Sequence, residues 1–286
     1  EKDKNINWKT QLKNVYHFDI NEDVIKFISN IKNNHLNRSI EFNSEYIDYK
    51  DEILSLIENF SASNGQTIKD HRNIIKRFRL GNLDVNIKSF ATPPMLNAFI
   101  YSFFRLTKAH RSFDYGKRLL KTGINTPTPI CYCEYKSKGL LNKSFYVSMQ
   151  LEYDFPISEV INNKNFPNRV KILNDFVLFT FKLHENGINF LDHSPGNTLV
   201  KMHNSRLIFY LIDLNRMKFE KMNFTKRIMN FRRLTNDKEV LKIISREYAK
   251  LSNRDDDEVF SLMVKYSNQF LSRRSFRKKL KKILVK

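Results

Sequence analysis

The stretch "HENGINFLDHSPGNTLV", residues 184–200, decides the fold, together with "LIFYLIDLNRMKF" at 207–219. A predicted apolar helix runs into a glycine turn, and a short loop then presents Asp192 and Asn197. The hydrophobic strand that follows ends at Asp213. Asp and Asn often cap backbone groups in ordinary turns, which is the alternative explanation. A loop that only closed a turn would not need all three side chains, so the segment predicts a functional site.

The composition indicates a globular protein that attracts polyanions. The chain has 286 residues, 41% of them hydrophobic, which is enough for one large domain or for two lobes with a shared cleft. The formal net charge of +20 predicts attraction to nucleic acid, to an anionic membrane surface or to phosphorylated glycans. No apolar run approaches the ~18 residues that cross a bilayer, and the first residues are not typical of a signal peptide.

Cys131 and Cys133 lie in the strand-like run "PICYCEY", where residues two apart share a face. A metal pair is the alternative, but no second Cys/His pair follows at ligand spacing. We therefore predict two buried, reduced thiols of a cytosolic protein.

Hydrophobic periodicity predicts three parts: an N-terminal helical extension over residues 1–60, a first lobe over 61–153 and a second lobe over 154–286. In the first lobe, "RNIIKRF" and "LDVNIKSF" predict a hairpin, and "PICYCEYK" and "SFYVSMQLE", joined by "SKGLLNK", predict two further strands. A helical stretch that begins after "TPP", breaks near Thr107 and ends at Gly123 lies between these strand pairs. The second lobe is predicted to be mainly helical, with an all-round apolar helix from residue 168.

The residue types of this site suit phosphoryl transfer. Asp213 and Asn197 offer the oxygen ligands that Mg²⁺ prefers, and Asp192 could orient an acceptor hydroxyl and take its proton. Strand-borne Lys88 could hold the α and β phosphates of a nucleotide, although Lys76 on the other hairpin strand is the rival. His184 lies on the apolar helix, so we predict a hydrogen-bonded core histidine.

Several motifs together carry a family resemblance. "LDHSPGN" followed by "LIDLNR" resembles the catalytic and metal-binding loops of the protein-kinase-like superfamily, including the D-x-x-x-x-N spacing. "VNIKSF", "KAHRSFDYGKRLLKTGINTPTPI", "SFYVS" and "LIDLNRMKF" are similar to bacterial lipopolysaccharide kinases, which phosphorylate 3-deoxy-manno-octulosonic acid (Kdo) or heptose in the inner core. The similarity covers about residues 65 to 235.

The resemblance implies an α+β, two-lobed protein-kinase-like fold, with a small, mainly antiparallel β N-lobe that carries an inserted helix and a larger helical C-lobe. It also implies ATP and Mg²⁺ as cofactors. The implied roles are catalytic base for Asp192, Mg²⁺ ligands for Asn197 and Asp213, phosphate-binding lysine for Lys88, helix partner of that lysine for Asp114, and phosphate-covering turn for Gly65.

Three departures accompany these roles. The chain has no G-x-G-x-x-G, Asp114 stands where a Glu is usual, and "DLN" replaces D-F-G. A surface salt bridge is the alternative role for Asp114.

The implied acceptor is lipopolysaccharide or lipid A bearing Kdo, and the implied location is peripheral, on the cytoplasmic face of an anionic inner membrane. We expect a monomer. We expect no nucleic-acid partner, because the Phe and Tyr residues follow core periodicities and do not alternate with basic groups. A kinase-like enzyme with a protein or small-molecule acceptor is one alternative, and a non-catalytic kinase-like scaffold on membrane or RNA is the other.

The C-terminal segment "SRRSFRKKLKKILVK", residues 272–286, has eight Lys or Arg residues and no acid. Phe276 and Leu280 recur on it at helical spacing, which predicts a basic amphipathic helix. Its apolar stripe could enter the headgroup layer of a membrane, or it could pack in the core of the second lobe.

Overall fold

The computed structural model describes residues 37–204 and 206–284, except for the side chains of 281–284. The described chain forms two compact units. Unit 1 comprises the chain up to Phe113 together with Pro129–Met149, and unit 2 comprises Asp114–Thr128 and the chain from Gln150 onward. The two units are groups of residues in contact and do not by themselves define domains that fold independently. The domain limits 1–60, 61–153 and 154–286 therefore stay predictions.

Unit 1 is built on a six-stranded antiparallel sheet with the order β1-β5-β6-β4-β3-β2. The predicted hairpin is confirmed as β3–β4, with its turn at Gly81. The strands are β1 (Asn37–Phe42), β2 (Gln66–Asp70), β3 (Ile74–Leu80), β4 (Leu83–Phe90), β5 (Pro129–Ser137) and β6 (Leu140–Met149).

The turn between β5 and β6 is tighter than predicted. Residues 140–143, predicted as loop, belong to strand β6. Lys138 and Gly139 form the turn with φ values of 49° and 72°. A two-residue turn with both φ values positive matches the twist of paired strands, so the pairing extends to the turn itself.

The predicted helical extension over residues 1–60 is wrong at Asn37–Phe42, which form β1 and pair with β5 from Lys136 to Cys131. Residues 1–36 of this predicted extension lie outside the described residues. A short polar strand has no helical or strand preference strong enough to be recognised, and here the free edge of β5 determines its conformation. Helix α1 (Lys50–Glu58) confirms the later part of the prediction.

One face of the sheet carries a core formed with α1. Val85 and Ile87 of β4 pack there with Ile53 and Ile57 of α1. Cys131 and Cys133 of β5 lie on the same face as buried free thiols, as predicted. Burial raises the pKa of the Cys133 thiol to about 11, which keeps this thiol protonated and unreactive.

The helical stretch between the strand pairs breaks where predicted, giving α2 (Met95–Phe103) and α3 (Lys108–Lys121). The Oγ1 of Thr107 accepts a hydrogen bond from the His110 N–H at 3.1 Å and lies 2.6 Å from a Glu134 carboxylate oxygen. This hydroxyl therefore caps the start of α3. Gly123, with a φ of 69°, follows the end of the helix.

Unit 2 is mainly helical, with short strands that position the predicted site. Its helices are α4 (Ile157–Asn162), α5 (Arg169–Glu185), α6 (Phe224–Asn230), α7 (Lys238–Ser252) and α8 (Asp256–Leu284). Its strands are β7 (Phe155–Pro156), β8 (Ile188–Phe190), β9 (Thr198–His203), β10 (Arg206–Leu211) and β11 (Met217–Phe219), in the orders β10-β9-β7 and β11-β8.

Helix α5 is buried on one side only, whereas the sequence predicts a helix that is apolar all round. Leu173, Phe176 and Val177 are fully buried. Val170 is 55% exposed and Leu178 is 52% exposed, so one side of the helix faces solvent. Among the described helices, none is both long enough and apolar enough to cross a membrane.

Candidate active site

Asn197 and Asp213 lie next to each other at the open end of the β9–β10 hairpin. Thr198 at the start of β9 pairs with Leu211 at the end of β10. The Ile212 N–H donates to the Asn197 carbonyl at 3.0 Å, one residue beyond this pair. Asn197 therefore enters the hairpin at the point where Asp213 leaves it, as the sequence predicts.

Asp192 is held at the same place by the loop between β8 and β9. The Leu191 N–H donates to the Arg216 carbonyl at 3.0 Å, which fixes the loop to the segment that follows Asp213. Within the loop, the Nδ2 of Asn197 donates to the Asp192 carbonyl at 2.8 Å. This hydrogen bond therefore fixes the position of Asn197 relative to Asp192 within unit 2.

The Asp192 carboxylate lies between two guanidinium groups. Its Oδ1 is 2.6 Å from Nη2 of Arg233, and its Oδ2 is 3.7 Å from Nη1 of Arg216. The Asp192 side chain retains 19% of its exposure. The carboxylate is thus oriented by two cations and remains reachable by a ligand.

Asp213 has an unusual backbone conformation with a φ of 59°. Residues other than Gly, Asn and Asp rarely adopt this left-handed region. Non-glycine residues that do adopt it concentrate at functional sites. The Nδ2 of Asn215 donates to Asp213 Oδ1 at 2.6 Å, which fixes the direction of the carboxylate.

The oxygen donors of Asn197 and Asp213 fit a hard divalent cation. Because Asn197 uses its Nδ2 to donate to the Asp192 carbonyl, its amide oxygen is the end that could ligate. Asp213 engages one carboxylate oxygen, Oδ1, with Asn215. Mg²⁺ is bound in proteins by one or two such side chains together with water and substrate phosphates.

Buried aromatic packing anchors the loop that carries Asp192. His193 is fully buried, with ring centroids 5.4 Å from Phe176, 5.9 Å from Phe190 and 6.1 Å from Phe231. Its Nδ1 lies 3.0 Å from Oδ1 of Asn230 on α6. The residue next to Asp192 therefore has little freedom to move.

Asn230 connects this loop to its surroundings. Its Nδ2 donates to the Phe190 carbonyl at 2.8 Å and to Asn189 Oδ1 at 3.1 Å. Its Oδ1 lies 3.3 Å from Nε2 of His184, while Nδ1 of His184 lies 2.8 Å from the Tyr248 hydroxyl. His184 is therefore the hydrogen-bonded core histidine that the sequence predicts.

The two buried histidines predict a loss of stability in acid. Burial lowers the pKa of His193 to about 4 and the pKa of His184 to about 3. In an unfolded chain each imidazole takes up a proton near pH 6.5. The contribution of the two neutral histidines to the free energy of unfolding is therefore fully present above about pH 6.5. It declines as the pH falls toward the pKa values of the folded protein, by about 2 kcal/mol for each histidine at pH 5.

Urea unfolding at pH 7 and pH 5 measures this loss. His193→Gln should remove a large part of the difference, whereas His203→Gln, at an exposed position on β9, should retain all of it. Equal free energies of unfolding of the unchanged protein at both pH values would contradict the prediction.

Lys88 and its rival Lys76 lie on opposite faces of the unit 1 sheet. Lys88 of β4 pairs with Tyr146 of β6, and the Lys88 Nζ is 5.2 Å from the centroid of the Phe90 ring. Lys76 instead donates from Nζ to the Phe60 carbonyl at 2.8 Å and to the Ser63 carbonyl at 3.0 Å. Lys76 therefore has a structural role in the turn after α1. The nucleotide role of Lys88 stays a prediction.

Gly65 lies immediately before β2, whereas residues 71–73 form the turn between β2 and β3. A Cβ at Gly65 would lie 2.4 Å from Cε1 of Phe78, so the glycine lets the backbone pack on that ring. Asp114 lies in α3, at the first residue assigned to unit 2. The nucleotide roles of Gly65 and Asp114 also stay predictions.

Comparison with known proteins identifies the family. The model of the "Lipopolysaccharide kinase (Kdo/WaaP) family" matches residues 95–255, which is more than half of the chain. The chain belongs to this family. The resemblance inferred from the motifs is thereby confirmed. No curated protein sequence matches the chain significantly.

A solved WaaP structure shares the fold of this lipopolysaccharide kinase family member. "WaaP in complex with acyl carrier protein" has a TM-score of 0.56 at 16% identity and covers 81% of this chain and 98% of that chain. The Rio2 kinase-ADP/Mg²⁺-phosphoaspartate complex from Chaetomium thermophilum has a TM-score of 0.45 at 16% identity, covering 91% of this chain and 82% of that chain. The predicted α+β protein-kinase-like fold class is confirmed.

Sequence reasoning missed four side chains that shape the site of this family member. They are Arg216, Arg233, Asn215 and Asn230. Asn215 and Arg216 were within reach of the sequence, because they stand in the quoted "LIDLNR" motif. Arg233 and Asn230 carry no such signal, since only folding brings α6 and the turn after it to the Asp192 loop.

Proposed function

We propose that this protein is an ATP-dependent kinase that transfers the γ-phosphate to a sugar hydroxyl, on Kdo or heptose, of the lipopolysaccharide inner core. The observation that carries the proposal is the convergence of Asp192, Asn197 and Asp213 at one end of the β9–β10 hairpin. Membership of a lipopolysaccharide kinase family supports the acceptor class.

The Asp192 carboxylate would accept a hydrogen bond from the acceptor hydroxyl. It would take the proton of this hydroxyl as the hydroxyl oxygen attacks the γ-phosphorus. The new O–P bond forms while the bond from the γ-phosphorus to the β–γ bridging oxygen breaks, and ADP leaves. Arg216 and Arg233 hold the carboxylate in place, which supplies the positioning on which phosphoryl transfer mainly depends.

The remaining roles concern the nucleotide. Asn197 and Asp213 would hold Mg²⁺, which when bound neutralises phosphate charge. Lys88 would steer the α and β phosphates, with Asp114 as the proposed partner of its ammonium group. Gly65 would lie in the segment that covers the phosphates.

The direct test is phosphate transfer from Mg-ATP to purified lipid A bearing Kdo, run beside lipid A that bears both Kdo and heptose. Label in either glycolipid with the unchanged protein, and none with Asp192→Ala, is the expected result and names the sugar. A Mg-ATP melting shift without label would redirect the search to protein or small-molecule acceptors. Absence of both signals would favour a non-catalytic scaffold.

We further propose that the protein works at an anionic membrane surface, on the cytoplasmic face of an inner membrane, and that it is a monomer. Every described side chain from residue 271 to residue 280 of α8 is exposed. Phe276 is 62% exposed and Leu280 is 41% exposed, so these two apolar side chains do not pack in the core. A basic helix with such a stripe suits the headgroup layer, where its acceptor is anchored.

Neutralising this helix should weaken membrane binding. The triple change Arg277→Gln, Lys278→Gln and Lys279→Gln should raise the dissociation constant for phosphatidylglycerol vesicles about a hundredfold, since each basic residue contributes about 1 kcal/mol at an anionic surface. Vesicle sedimentation measures the change.

The matched control removes the same charge from the exposed residues Lys242, Lys250 and Lys265 in the same unit. This control should bind vesicles much more tightly than the α8 variant. Equal weakening in both variants would show that net charge, and not this helix, attracts the membrane.

A further inference from the structure

The turn that carries Arg233, and the helix packed on that turn, hold more arginines than Asp192 contacts. Arg216 and Arg233 contact it directly. Arg232 precedes Arg233 on a single 3-10 turn, Phe231–Arg233, against which α8 packs. Helix α8 carries a fourth arginine, Arg273. We call these four residues the arginine cluster.

Specific contacts fix α8 against this turn. The guanidinium carbon of Arg233 lies 5.3 Å from the centroid of the Phe270 ring, a cation–π arrangement. The Ser267 hydroxyl donates to the Thr235 carbonyl at 2.6 Å. Residues three apart share a helix face, so Arg273 follows Phe270 on the side that meets the turn. Arg273 lies near enough to Arg232 for its charge to lower the pKa of Arg232.

The arginine cluster concentrates positive charge at a cost to stability. Burial lowers the pKa of Arg232, and the neighbouring charges of Arg233, Arg273 and Arg216 lower it further. Like charges that disfavour one another in this way, beside a candidate catalytic group, are typical of a site that awaits an anionic ligand.

The geometry of Arg232 leaves donors for such a ligand. Its Nη1 donates to the Met229 carbonyl at 3.1 Å, which orients the planar group. A guanidinium has five N–H donors, so one backbone bond leaves most of them for an oxyanion. Arg273 is exposed. Carboxylates and phosphates are the groups that arginine pairs bind with two parallel hydrogen bonds.

We propose that Arg232 and Arg273 bind an anionic substituent of the acceptor, a carboxylate or a phosphate, next to the hydroxyl that Asp192 orients. The inference rests on the proposed kinase function and adds an acceptor subsite to it. Arg216 and Arg233 position Asp192, while Arg232 and Arg273 select acceptors that carry a negative charge near the reacting hydroxyl.

The test combines binding without ATP and transfer with ATP. The probes are lipid A bearing Kdo, the same glycolipid with its Kdo carboxylates methyl-esterified, and the same glycolipid with its phosphates removed. In the double variant Arg232→Gln, Arg273→Gln, the dissociation constant and the KM for the unmodified glycolipid should rise about tenfold or more, with the KM for ATP unchanged. The double change Lys242→Gln, Lys250→Gln, at exposed positions of α7, is the charge-matched control and should retain acceptor affinity.

The modified glycolipids identify the group that is recognised. The unchanged protein should bind either the esterified or the dephosphorylated glycolipid more weakly, and the double variant should no longer distinguish it from the unmodified one. Unchanged acceptor affinity in the double variant, or a raised KM for ATP in place of the acceptor, would overturn the subsite. Charge-dependent binding without transfer would instead overturn the kinase proposal and leave the subsite standing.

Discussion

Asp192→Asn is expected to lower the rate of phosphate transfer by about 10²–10⁴-fold, the usual contribution of a positioned general base. The amide keeps the shape of the carboxylate but cannot accept the proton of the acceptor hydroxyl. It also removes the negative charge that orients Arg233 at 2.6 Å and Arg216 at 3.7 Å. The reacting oxygen therefore loses both its base and part of its alignment.

Nucleotide binding should survive this change, because the proposed Mg²⁺ ligands are other side chains. Single-turnover transfer to lipid A bearing Kdo measures the rate, and the Mg-ATP melting shift measures nucleotide binding. Asp257→Asn, on the first turn of α8, is the control for loss of one acidic charge. Full activity of Asp192→Asn would mean that another group accepts the proton.

The sequence predicts those parts of the fold that local patterns determine. The β3–β4 hairpin follows from two β-branched runs around Gly81, and the break between α2 and α3 follows from Thr107. Strand β1 was missed because its pairing with β5 joins residues far apart in the chain. No short-range signal accompanies such a contact.

The candidate site divides in the same way. Asp192, Asn197 and Asp213 are recognisable because hairpin geometry makes their spacing along the chain a spacing in the structure. Asn230 and Arg233 reach the site from α6 and the turn that follows it, by way of buried hydrogen bonds and an ion pair. Their function depends on tertiary packing, which the spacing of residues does not encode.

Asp213→Asn is expected to remove most of the Mg²⁺-dependent stabilisation by ATP and to slow transfer about a thousandfold, since a bound metal supplies several kcal/mol of charge stabilisation. Asparagine is the appropriate replacement, because it tolerates the left-handed backbone that Asp213 adopts at a φ of 59°. Alanine would add backbone strain of about 1–2 kcal/mol and so confuse folding with binding.

Melting temperatures with ATP, in magnesium chloride or in a chelator, measure the metal dependence without reference to catalysis. Asn215→Ala should give a smaller effect of about 10–100-fold on metal affinity, because Asn215 orients the Asp213 carboxylate at 2.6 Å and is not itself a proposed ligand. The order of the two effects separates the ligand from the residue that supports it. If Asp213→Asn left the magnesium-dependent shift unchanged, Asp213 would not bind the metal, and Asn197 would need a different partner.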